Sequence, residues 1–348
     1  MRSKEGQALS RLPAGRARAC AIALTLALAC VLAGCLGSMS KHSAALSEAT
    51  APVVDQAAAA YAAAQAIHDE RENYDAVAKF DDQTNVYNPR KVAPLLSASD
   101  LGVRVQVLAG LQCYSQLLVE ITNGTTSKAL DDASKSIGNN LTAIANNEQA
   151  AITGALGLAS PTSTSTSTST TTTGGVSTTS TTSTTTPAAL VSPGARNAIG
   201  TAFNALGQFL VGRTIKKDLP QQIVKMDPTV QALCQLLTKE IDLLRDQEHR
   251  DFEYMIEQQT IFIRVNDKLT PQQKRDEIMK LPGMARREQT ADDQLVKLRA
   301  AIVRLSLTHT ALAADAQGNN PESLKSKLGE LVTAGEGLAT FYSSLPTQ

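Results

Sequence analysis

Apolar residues recur every three and four positions along most of this chain, and nowhere alternate long enough to predict a strand. A first helix is expected over about 44 to 79, with Val53, Ala57, Ala60, Ala64, Ile67, Tyr74 and Ala78 on one seam. A Pro and Asn loop at 85 to 94 follows. The second helix opens on Ser97 and Asp100, carries Val107, Leu111, Tyr114, Leu118 and Ile121, and stops at Asn123-Gly124. A third, about 128 to 153, carries Leu130, Ile137, Leu141 and Ile144.

Periodicity is then lost, because 22 of the 25 residues from Thr162 to Thr186 are Ser or Thr. Such a tract has no apolar surface to offset chain entropy, so it is expected to form a long disordered loop. Helix resumes at Ser192-Pro193 with Ile199, Phe203, Leu206 and Leu210, and breaks near Pro220 and Pro228. Asp227 as N-cap and Pro228 in the first turn predict the start of the longest helix, running to about 266 on the seam Val230, Cys234, Leu237, Ile241 and Leu244. Thr270, Pro271 and Gln273 cap a further start, which Leu281-Pro282-Gly283 interrupts. The last two helices carry Leu295, Leu298, Ile302, Leu305, His309 and Leu312, then Leu324, Leu328, Leu331, Gly335, Leu338, Tyr342 and Leu345. The alternation of three and four predicts an all-α, elongated antiparallel bundle of about six to seven helices. Its halves, 44 to 159 and 192 to 348, flank the insert at 160 to 191.

The first 34 residues do not belong to this pattern. Arg2, Lys4, Arg11, Arg16 and Arg18 precede an uncharged run from Ala19 to Gly34, which falls short of the roughly 20 residues of a spanning helix. This is the layout of a removed signal peptide. Leu32-Ala33-Gly34-Cys35 resembles the lipobox of bacterial lipoproteins at all four positions. The resemblance implies signal-peptidase recognition at Leu32, Ala33 and Gly34, and a mature chain that begins at an acylated Cys35. Leu36 in place of Asp implies the outer rather than the inner membrane, with 35 to 43 as anchor and tether.

Without the signal, 28 basic and 32 acidic side chains remain, a net charge of −4. That balance gives no reason to expect nucleic acid as a partner. Trp is absent and aromatics are 3% of the chain, which disfavours a stacking site for sugars or bases. Cys113 and Cys234 are the two mature cysteines besides Cys35, and an oxidising envelope predicts a disulfide between them.

Candidate chemistry is sparse. His249 stands with Asp246 and Glu253, and His68 with Glu72, at helix-pair spacings. The run from Asp242 to Glu253 reads as a solvated, salt-bridged face rather than a metal site. His309 lies on a Leu seam, where a hydrogen-bonded core histidine is expected. There is no Gly-x-Ser-x-Gly elbow and no phosphate-binding glycine loop, so no catalytic residue, metal site or cofactor is assigned. Residues 136 to 212 carry only Glu148 and Arg196. This uncharged hairpin is expected to pack against the bundle. The chain is therefore expected to be a non-catalytic envelope lipoprotein, held to the membrane by its lipid and working through helix-mediated contact with an envelope protein. The alternatives are a membrane-perturbing protein that uses the hairpin 137 to 211, and a periplasmic enzyme whose site is assembled from distant helices.

Overall fold

The computed structural model describes residues 39–81, 94–125, 127–146, 162–173, 176–187, 193–212, 218–318 and 321–344. Seven helices of 19 residues or more, and one of eight, carry the fold. These are α1 (Met39–Asp81), α2 (Ala98–Asn123), α3 (Lys128–Asn146), α4 (Pro193–Val211), α5 (Leu219–Val265), the short α6 (Pro271–Ile278), α7 (Leu281–Ala316) and α8 (Pro321–Ser344). The expected signal segment, Cys35, most of the 85 to 94 loop, residues 147 to 153 and Leu345 lie outside the described residues.

Local signals set most boundaries. Ser97 caps α2 by accepting a hydrogen bond from the Asp100 amide, and Gly124, at φ 69°, closes it in the left-handed conformation. Thr270 and Gln273 form a reciprocal capping box on α6. Two boundaries depart from expectation. Helix α1 begins at Met39 rather than about 44, so 39 to 43 are helical and not part of a tether. Helix α5 begins at Leu219, passes through Pro228 and spans 47 residues, about 70 Å. Pro228 costs a backbone hydrogen bond, but Leu219, Ile223 and Met226 upstream of it are buried, and their packing outweighs that loss. Asp227 is freed from capping for another use.

Helices α5 and α7 form the most extensive pair and run antiparallel; α1 lies against both. Tyr61 meets Glu240 and Asp75 meets Tyr254, both at a separation of 179 residues, so α1 and α5 run parallel in register. Helices α2 and α8 flank α1, and the α3–α4 hairpin closes over α2 and α5. The main core joins all the long helices. A smaller cluster of Ile67, Phe252, Met255 and Met284 fills the end where α1, α5 and α7 continue alone.

The α3–α4 crossing depends on two glycines. A Cβ on Gly207 would lie 2.5 Å from Thr142 Oγ1 and 2.6 Å from the Gly138 carbonyl; one on Gly138 would lie 2.7 Å from the Gly207 carbonyl. Backbone is in the way, so the helices must separate to admit a methyl. Gly207→Ala is expected to lower stability by about 1–3 kcal/mol through overpacking. Helix propensity alone favours Ala by about 1 kcal/mol, so a raised denaturation midpoint would show that the crossing is loose.

Among the described residues the Ser/Thr tract is the one non-helical element. Strands β1 (Thr162–Thr173) and β2 (Val176–Pro187) pair antiparallel from Thr162 with Pro187 to Thr173 with Val176. Sequence alone gives this tract no regular backbone. Its Thr-rich composition suits extended chain, but a lone two-stranded ribbon is marginal in water, and near-identical residues at every rung specify register weakly. The helical bundle is built without it.

Candidate functional site

Three layers of polar side chains interrupt the apolar interior. The first lies where α1, α2 and α5 meet. Arg104 and Glu240 are both almost fully buried and paired, Nη2 to Oε1, at 3.3 Å. The Tyr61 hydroxyl donates to Glu240 Oε2 at 2.5 Å, Arg104 Nη1 donates to the Asp100 carbonyl at 3.0 Å, and the guanidinium lies 5.7 Å from the Tyr61 ring centre. Burial pushes the Glu240 carboxyl up to about 7 against the opposing pull of Arg104. Burial, with Glu240 beside it, also raises the Tyr61 hydroxyl. Val103, Val107, Phe203, Leu236 and Leu237 enclose the pair around a cavity of about 10 Å3. That is room for one water at most, and no substrate fits.

The second layer links α2, α5 and α7. His309 Nδ1 lies 2.8 Å from Asp227 Oδ1, and Nε2 lies 2.7 Å from the Tyr114 hydroxyl. A carboxylate accepts from Nδ1–H, which leaves Nε2 to accept the tyrosine proton. Gln231 and Thr310 donate further bonds to Asp227, and His309 draws its carboxyl down against the effect of burial. The sequence reading of His309 as a hydrogen-bonded core residue agrees with this arrangement. Asp227, misplaced as an N-cap by that reading, is its partner.

The third layer lies toward the three-helix end. Asp251 is buried, with His68 Nδ1 at 3.3 Å, Arg71 Nε at 4.0 Å and Gln247 donating at 2.8 Å. Glu248, also buried at 4% exposure, has no hydrogen-bond partner at Oε2 among the described residues. Burial, reinforced by Asp251 and Asp292, pushes its carboxyl up to about 8. These two positions correct the reading of 242 to 253 as a wholly solvated face. His249 does belong to such a face: it is 60% exposed, paired with Glu253 at 3.3 Å and Glu288 at 2.5 Å, and the Glu288 bond raises its pKa. Glu72 approaches His68 only to 4.0 Å. Among the described residues no three His, Cys, Asp or Glu are placed to hold a metal ion.

The expected disulfide is not formed. Cys113 on α2 and Cys234 on α5 are free and buried. Their helices touch little directly, being joined mainly through α1 and α4. Burial raises both thiols, Cys234 to about 12, so they behave as small core hydrophobes rather than nucleophiles. Both are expected to remain unreactive toward a thiol reagent in the folded protein and to titrate together on unfolding; failure of either to react in unfolded, unreduced protein would restore the disulfide.

The uncharged hairpin lies against the bundle, with Leu141, Phe203, Leu206 and Leu210 inside the core. No described helix is long and apolar enough to cross a membrane. Compared with protein-family models, curated proteins and solved structures, the chain shows no match.

Proposed function

We propose that the protein is a non-catalytic lipoprotein of the cell envelope, anchored at the outer membrane through an acylated Cys35, with a helical body that works by contact with another envelope protein. The observation that carries this reading is Leu32-Ala33-Gly34-Cys35 at the end of an uncharged, Arg-preceded segment, three residues before α1 begins. Residues 36 to 38 span about 10 Å even when extended, so the start of α1 would be held at the bilayer surface.

Two features support a contact role. Deeply buried polar groups bond between helices, Arg104 with Glu240 and His309 with Asp227 and Tyr114, which suits a device for fixing helix register. On the outer side of α7, Val296, Val303 and Leu307 are exposed at spacings of seven and four, one apolar stripe along the helix. An amphipathic partner helix suits such a stripe.

Cells expressing the protein with labelled palmitate are expected to yield a labelled mature chain beginning at Cys35, and Cys35→Ser to yield none. A mature chain cleaved elsewhere, without label, overturns the anchor. Crosslinking in native envelopes is expected to capture a protein partner that Val303→Glu with Leu307→Glu loses. Equal capture by that variant removes the α7 stripe from the reading.

A further inference from the structure

We infer that the end of the molecule farthest from Cys35 binds the surface of an anionic lipid bilayer. At that end α1 finishes, α5 finishes, and α6 folds back toward α5, with Gln259 donating to Glu277 at 2.8 Å. Large apolar side chains project there into solvent: Met279 is 73% exposed, Val265 66%, Phe80 64% and Val77 58%, with Ile261 and Ile278 also exposed. Tyr74, one turn before Val77, packs on the cluster that holds Leu281 and Met284, which brings the close of α1 to the α6–α7 junction.

The basic side chains of this end come from one stretch of sequence. Residues 261 to 287 carry seven Lys or Arg (264, 268, 274, 275, 280, 286 and 287) and three acids (267, 276 and 277), a net charge of +4. The last turns of α1, 70 to 81, lie at the same end and carry Glu70, Glu72, Asp75 and Asp81 against Arg71 and Lys79, so the basic excess belongs to the end of α5, α6 and the start of α7. Lys280 pairs with Glu277 and Arg287 with Glu70. Arg264, Lys268, Lys274, Arg275 and Arg286 form no ion pair among the described residues, and all but the half-buried Lys274 are exposed.

Apolar side chains that project singly, with exposed basic ones beside Val265, Ile278 and Met279 in the sequence, match the interface of an anionic bilayer, where the chains enter the headgroup boundary and the cations meet phosphates. They project from helix ends and a turn rather than lining a groove, so the surface suits a deformable partner better than a ridge of protein. With no described helix apolar enough to span a membrane, the contact is adsorption. From Met39 to Phe80, α1 rises about 60 Å. On the proposed reading of Cys35 that is the distance between the acyl anchor and this tip, so a bilayer bound here is a different stretch of membrane from the one holding the lipid. The affinity itself does not depend on the anchor.

The chain from Leu36 keeps every described element and carries no acyl group, so it separates the two readings. In vesicle co-sedimentation it is expected to bind phosphatidylglycerol-containing vesicles and not phosphatidylcholine alone, with binding lost at high salt. Lys274→Glu with Arg275→Glu is expected to cut partitioning at least about tenfold, and Val265→Ser with Met279→Ser to cut it severalfold, with helical circular dichroism unchanged. These positions are at the surface, so both variants are expected to fold. Absence of binding by the folded chain, or binding that both variants leave unchanged, overturns the inference. So does a crosslink from position 279 to a protein in native envelopes without vesicle binding. None of these results bears on palmitate labelling at Cys35.

Discussion

Truncation of Arg104 to Ala lowers the stability of the bundle by about 3–5 kcal/mol, the cost of leaving a buried carboxylate without its cation. Glu240 is 1% exposed and enclosed by Val103, Val107, Phe203, Leu236 and Leu237, so bulk solvent does not take the place of the guanidinium charge. Changing the whole group gives the opposite result. With Arg104→Met, Glu240→Leu and Tyr61→Phe together, the layer becomes apolar at similar volume, and stability returns to within about 1–2 kcal/mol of the parent or exceeds it. Tyr61 must be included, because its buried hydroxyl donates to Glu240 and would otherwise lose its acceptor. Denaturant unfolding with unchanged m-values checks both results. A single Arg104→Ala variant within about 1 kcal/mol of the parent would mean the pair is reached by solvent.

Glu248 carries the second large effect, and it depends on pH. Its carboxyl is held up to about 8 in the folded chain, against the ordinary 4.5 when unfolded. The folded state therefore keeps a proton that the unfolded state releases, and stability falls as pH rises through that window. Below about 4.5 this group adds no pH dependence; above about 8 its penalty is complete. At about 1.4 kcal/mol per unit, the penalty reaches a few kcal/mol. Glu248→Gln has no proton to lose, so it is expected to be more stable than the parent by about 2–4 kcal/mol at pH 8.5 and nearly equal at pH 4.5. Glu240, raised to about 7, slopes the same way in both proteins, so the difference between them isolates Glu248. Parallel stability curves from pH 4.5 to 9 would refute this account.

The layer holding Glu248 shows where the sequence could be read and where it could not. The α5 seam Val230, Cys234, Leu237, Ile241 and Leu244 is all buried. Continuing it by four and three lands on Glu248 and Asp251, so their burial was written in the spacing but hidden by their charge. Arg104 is similar: it stands three residues before Val107 on the α2 seam, and its residue type argues for solvent. What no spacing reveals is the partner. Glu240 lies 136 positions from Arg104, and Asp227 lies 82 from His309; only the packing of α2 beside α5 and the antiparallel register of α5 with α7 bring such groups together. Pro228 and the cysteines failed for a related reason. A local rule placed a helix start at one, and an inferred oxidising compartment placed a bond between the others, while tertiary packing decided both.

The apolar tip was legible in part. Arg264, Lys268, Lys274 and Arg275 stand close together in sequence, but their number is hidden by a net charge of zero over the full chain. That Val77 and Phe80, nearly 200 residues earlier, share their end of the molecule follows only from the parallel run of α1 beside α5.

The Ser/Thr ribbon has a consequence for tolerated variation in length. Its first and last residues, Thr162 and Pro187, are opposite one another, so the two ends of the ribbon lie side by side. Adding or removing rungs lengthens or shortens the ribbon and leaves its two ends paired. Length changes in the tract are therefore expected to alter the ribbon alone, since none of the described helices includes it.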